Sequence, residues 1–259
     1  MDKMLHNAKN TDYAKKEFYN SIVKNMPESF NYNNAVYKRL LDKMSKESLD
    51  IFYDKTNIKR DILPYKFLKH NSVNFIEVRR NLSHWILEDG RKNFHLVVNK
   101  HYFENVINWQ SLRFNKENTT DIASELMFIS MELCLNQYWS MQNIGNDEPF
   151  KKIVREAVST FGAALLTNVS DLEIAKKISD LSPKNNGKHI DLRRPECYFG
   201  IDINDNRGRY MGYLMSVSLN GMPEHDKIEH LKKMFSYDYA FKELTNMLLS
   251  KENNHLRQE

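Results

Sequence analysis

Between Asp121 and Met141 the chain sets Ile122, Leu126, Phe128, Ile129, Met131, Leu133, Leu135, Tyr138 and Trp139 at helical spacing, with almost no polar side left over. A helix that is apolar nearly all round belongs inside a fold, so the rest of the chain must wrap it. With 259 residues and 41% hydrophobic content, the chain can bury a core without metals or disulfides. That content is also too high for a disordered segment.

The flanking sequence supplies further helices. Asp12 to Met26 has helical spacing, with Thr11 as cap and Pro27 as stop. Asn34 to Met44 and Lys46 to Tyr53 predict two more, ahead of Pro64. After the central segment, Gly145 predicts a stop, and Asp147-Glu148-Pro149 opens a helix to about Leu166. Ser170-Asp171-Leu172-Glu173 is a capping box, opening a helix to about Leu181 before Pro183. Pro223 sits near the first turn of a helix to about Phe235, and a last helix covers about Tyr237 to Leu249.

Two regions read as extended. Val73 to Val78 has strand composition, and Leu82 to Leu87 and Asn93 to Val98 flank Glu88-Asp89-Gly90-Arg91. An Asp-Gly pair between apolar runs predicts a two-residue hairpin turn. Glu88 would then oppose Arg91, and His84 would oppose His95. Cys197 to Ile203 and Arg209 to Leu219 read as a second hairpin around residues 204–208. The expected fold is therefore α+β: a mainly helical single domain over residues 1–259, with a buried central helix and two short β-hairpins forming a small antiparallel sheet. Within it lie an N-terminal helical layer (about 12–65), a mixed body (about 72–250) and a frayed tail (251–259).

The net charge of +4 comes from 38 basic and 34 acidic residues, a mixed surface that does not imply a nucleic-acid partner. Two cysteines, Cys134 and Cys197, suit a reducing compartment. The first residues lack a signal-peptide core, and no run of about 18 apolar residues predicts a membrane span. A cytoplasmic location is expected.

Several residues are candidates for chemistry. Facing imidazoles at His84 and His95 would share a metal or act as an acid–base pair; against this, the pair would lie on the wet face of the hairpin, and no carboxylate or thiol completes a ligand set nearby. Asp202 and Asp205 lie in Gly200-Ile201-Asp202-Ile203-Asn204-Asp205-Asn206. Over about 20 residues this segment resembles the opening hairpin of ribonuclease-H-like nucleases and actin-like ATPases. The resemblance implies an aspartate that binds a divalent metal. The mostly helical remainder does not supply the further strands those folds need, so a simple turn at Asp205 and Asn206 is preferred.

Arg193, Arg194, Arg207 and Arg209, with Lys184 and Lys188, would gather as an anion site or as a solvated sheet edge, the latter preferred. Cys134 reads as an inert core thiol. His225 and His230 are five apart, which points their rings away from each other on a helix. Tyr13, Tyr32, Tyr37, Tyr53 and Tyr65 crowd the N-terminal helices, as a docking face or a seal onto the body.

No phosphate-binding loop, dinucleotide fingerprint, nucleophile elbow or paired-cysteine motif occurs. The function favoured is a non-catalytic protein-interaction module of inhibitor, immunity or effector type. One alternative is an enzyme acting on a phosphate- or acyl-bearing substrate, its site joining His84 and His95 to Asp202 and Arg194. The other is nucleic-acid binding. A protein partner is expected, and no membrane. No motif names a cofactor or a metal.

Overall fold

The apolar segment folds as the central helix. In a computed structural model describing residues 34–59, 72–76, 83–88, 94–99, 102, 122–146, 148, 150–181 and 206–255, the helices are α1 (Asn34–Thr56), α2 (Ile122–Gln142), α3 (Lys151–Leu166), α4 (Asp171–Leu181), α5 (Arg207–Ser218), α6 (Glu224–Met234) and α7 (Tyr237–His255). The strands are β1 (Ser72–Ile76), β2 (His84–Glu88) and β3 (Phe94–Asn99). The architecture is mainly helical α+β. Among the described residues no helix is long and apolar enough to cross a membrane.

Every residue of α2 from Glu125 to Ser140 is buried. α1 and α3 pack on it, and α5 packs extensively on α3. Trp139, Phe52, Phe94, Phe128 and Phe161 are among the largest fully buried side chains. Gly145, at φ +82°, stops α2 in the left-handed conformation that glycine tolerates best. Asn143 then ties that end to the C-terminal helices. Its Nδ2 donates to Phe235 O at 2.8 Å, and its Oδ1 accepts from Tyr237 N–H at 3.0 Å. The second bond satisfies a donor that the first turn of α7 leaves open.

The helix signals hold at several termini. Glu173 N–H donates to Ser170 Oγ at 3.3 Å, as the capping box requires. Pro223 precedes α6, whose first turn carries Glu224 and Asp226 and whose last carries Lys232 and Lys233. Those charges oppose the helix dipole at both ends. The two helices expected over 34–53 are one, because no glycine or proline separates Met44 from Lys46. The helix expected over Asp12 to Met26 lies outside the described residues.

The sheet differs from expectation in two ways. First, its strand order is β1-β3-β2, with β1 parallel to β3 and β2 antiparallel to β3. The pairing of Glu88 with Phe94 leaves residues 89–93 as a five-residue connection rather than a two-residue turn. The ladder is therefore shifted by three positions. His84 pairs with Val98, and His95 pairs with Leu87. Strand pleats alternate with period two, so an odd shift puts positions 84 and 95 out of phase.

Second, the segment expected as the return strand of another hairpin is helix α5. Gly208 and Gly212 explain it. They are four apart, on one side of the helix, and both abut α3. A Cβ on Gly212 would meet Ala157 O at 2.5 Å, and one on Gly208 would meet Ile153 O at 2.7 Å. The missing side chains allow the two helix backbones to approach closely. The first strand of that expected hairpin, with Cys197, lies outside the described residues.

Candidate functional site

The main polar constellation centres on Glu132, from the middle of the apolar helix α2. A carboxylate carried into an apolar interior needs partners, since an unpaired buried charge is costly. Three elements provide them. His84, opening β2, places Nε2 2.6 Å from Glu132 Oε2. Thr160 of α3 donates its hydroxyl to Oε1 at 2.6 Å. Arg209 of α5 donates Nε to Oε1 and Nη2 to Oε2, each at 3.1 Å. Arg209 Nη1 also donates to the carbonyl of His84 at 2.6 Å. The close approach of α5 to α3 at Gly208 and Gly212 is what delivers the guanidinium there.

Hydrogen-bond logic fixes the histidine tautomer. An arginine has only donors and a carboxylate only acceptors. His84 Nε2 therefore carries its hydrogen toward Glu132, and the 3.0 Å approach of Arg209 Nη2 to Nε2 is two donors converging on one oxygen. Nδ1 is left as an acceptor for the Ser83 hydroxyl at 2.8 Å.

Two turns along α2, Glu125 repeats the pattern. Lys177 of α4 reaches its Oε2 at 2.9 Å, and the Lys177 ammonium lies 5.1 Å from the centre of the Phe128 ring. Residues 125, 128 and 132 form one stripe of the helix, and His84 packs edge-on against Phe128. A further pair sits one turn on, where Arg155 Nε donates to Asn136 Oδ1 at 3.0 Å.

The electrostatics follow from burial and pairing. Burial opposes ionisation of Glu132, but Arg209, then His84, overcome it and hold the carboxyl down at about 2. Burial first, then the Arg209 charge, lowers the pKa of His84 despite the neighbouring carboxylate. Glu125 is likewise buried, yet the Lys177 charge keeps it below its usual range. Lys177 in turn is pushed down by burial but raised further by Glu125, so it stays charged.

In connectivity, Ser83, His84 and Glu132 form a hydroxyl–imidazole–carboxylate series like that of a hydrolytic triad. Two features oppose that chemistry. All three residues are buried. In addition, Arg209 neutralises the carboxylate whose charge would stabilise an imidazolium. A general base needs a pKa near the working pH, and here burial and the Arg209 charge push the imidazole pKa down, making it a weaker base.

Of the four residues expected to act together, His84 joins this network, but with Ser83, Glu132 and Arg209 rather than His95. His95 appears only as a backbone partner of Leu87 in the ladder. Asp202 and Arg194 lie outside the described residues, as do Lys184, Lys188 and Arg193. Arg209, expected on a solvated edge or anion site, is buried against Glu132 because its charge balances that carboxylate. Among the described residues no group of three metal-ligating side chains converges. Cys134 is buried, and burial pushes its thiol up to about 12. Among the grouped tyrosines, Tyr53 is a core residue whose ring is tilted against that of Phe52. His230 turns to the Tyr239 hydroxyl at 3.3 Å.

Sequence reasoning missed Glu132, Glu125, Thr160 and Lys177. The signal was present: two acids in an otherwise apolar helix demand buried cations from elsewhere in the chain. Comparison with family models, curated proteins and solved structures returns no match.

Proposed function

We propose that this chain is a non-catalytic protein-interaction module working in a reducing, cytoplasmic setting. One observation carries the reading: the main ionic constellation is closed upon itself. Glu132 accepts from three side chains, His84 is kept neutral, and Arg209 faces inward. Such a cluster ties elements together instead of meeting a substrate. The same burial removes Arg209 from any phosphate-binding edge, which weakens the nucleic-acid alternative.

The outside of the molecule supports recognition. Ile144, Phe150, Leu172 and Phe241 are large apolar side chains left exposed. Phe150 and Phe241 stack with ring centres 5.8 Å apart, over a second stack of Phe241 on Tyr237 at 5.7 Å. Exposed aromatic area of this kind is characteristic of protein interfaces. The partner expected is a folded protein with an apolar contact centre.

The test is affinity capture from the native cytoplasm with the wild-type chain and a Phe150→Ser/Phe241→Ser variant. A stoichiometric partner held by the first and lost by the second supports the reading. No stoichiometric partner, or equal capture by both, removes its support. An enzyme acting through His84 on an acyl substrate is the second reading, favoured by the Ser83–His84–Glu132 alignment alone.

A further inference from the structure

Away from the buried network, the ends of α3 and α5 and the starts of α4 and α6 enclose a cleft of about 240 Å³. Its lining is mixed: Phe161, Ala164, Val169 and Ile174 share it with Asn168, Ser216 and Asn220. Two opposite charges stand at its rim, Asp171 at the start of α4 and Lys227 in α6. Neither makes an ion pair with the other or with any other described residue. Glu224, also on the rim, is already taken by Lys55 at 2.9 Å, and Lys55 Nζ also donates to Asn168 Oδ1 at 3.2 Å. Among the described residues, one carboxylate and one ammonium are thus left on the same small cleft.

We propose that this cleft binds a free aliphatic α-amino acid. Asp171 receives the α-ammonium, Lys227 receives the α-carboxylate, and the side chain rests on Phe161, Ala164, Val169 and Ile174. The match is one of size and charge. At roughly 30 Å³ per water-sized group, the cleft holds about eight heavy atoms, the size of valine or leucine. A zwitterion carries one charge of each sign on a single carbon, which matches one rim group of each sign and adds no net charge. A phosphate or other anion suits the cleft poorly, because acids lead both helices that begin there. A peptide segment within a chain would fill the floor but leave both rim charges unanswered. This inference goes beyond partner binding and does not rest on it.

Isothermal calorimetry on the full chain tests it, with L-leucine as probe. The comparison ligands are 4-methylpentanoate, which lacks the amine, isopentylamine, which lacks the carboxylate, and N-acetyl-leucinamide, which imitates a chain segment. The expected result is saturable binding of L-leucine, with each comparison ligand weaker by about tenfold or more, the loss typical of a missing charge-assisted hydrogen bond. Asp171→Asn should lose the preference for leucine over 4-methylpentanoate, and Lys227→Gln the preference over isopentylamine. Both side chains are at the surface, and circular dichroism confirms that each variant is folded. No saturable heat with leucine overturns the proposal. So does equal binding of N-acetyl-leucinamide, which would mark a peptide groove, or unchanged selectivity in both variants.

Discussion

Arg209 lies side-on to Glu132, with Nε and Nη2 each 3.1 Å from a different carboxylate oxygen, across 77 residues of sequence. The pair joins α2 to α5, and through His84 it reaches the sheet. Removing one partner leaves the other charge buried and alone. Replacing Glu132 with Gln is expected to cost about 3–5 kcal/mol of stability, read as a lowered urea midpoint.

Acid should weaken the fold in two stages. His84 has a folded pKa below its ordinary 6.5. Above pH 6.5 it is neutral in both states and contributes no pH dependence. As the pH falls below that value, the unfolded chain binds a proton that the native chain refuses, so stability drops. Glu132 contributes fully above its ordinary 4.5, and that contribution, about 3 kcal/mol, is lost as the pH falls from 4.5 toward about 2. Urea titrations over an acid series should show both stages, and His84→Gln should flatten the first. An unchanged slope in that variant would assign the first stage to other groups.

The helix contact at Gly212 should be intolerant of added bulk. A methyl group there meets Ala157 O at 2.5 Å and Thr160 Cβ at 2.7 Å. Gly212→Ala is expected to destabilise by about 1–3 kcal/mol although alanine favours helix. Gly145→Ala meets no neighbouring atom but strains a positive φ, so its cost is set by the backbone alone and should be nearer about 1 kcal/mol. Thermal denaturation of the two variants separates the mechanisms.

Chemical probes should find the buried nucleophiles silent. Ser83 should resist a fluorophosphonate in the native state, and Cys134 should resist iodoacetamide until the chain is unfolded. Peptide mapping by mass spectrometry reads both. Stoichiometric labelling of native Ser83 would favour the acyl-enzyme alternative over the interaction reading.

What the sequence disclosed was local. The apolar run around Trp139 marked the buried helix, Ser170 and Glu173 marked a helix start, and Asp89-Gly90 marked a strand pair. The register of that pair was not legible, because the Asp-Gly signal suits a two-residue turn and the ladder leaves five residues. That difference separated His84 from His95. Gly208 and Gly212 were legible as glycines, but their spacing of four serves helix against helix rather than a turn. The partners of Glu132 come from 28, 48 and 77 residues away. No local periodicity reports such distances; the demand for a cation was visible in α2, but the identity of Arg209 was not.

The most direct measurement is a double-mutant cycle on Glu132→Leu and Arg209→Leu, followed by urea unfolding. If this pair is the buried tie between α2 and α5, each single replacement is strongly destabilising. The double replacement then costs less than their sum by about 2–3 kcal/mol. Effects that add to within about 0.5 kcal/mol would contradict that account, because two residues that do not depend on each other cannot be the tie.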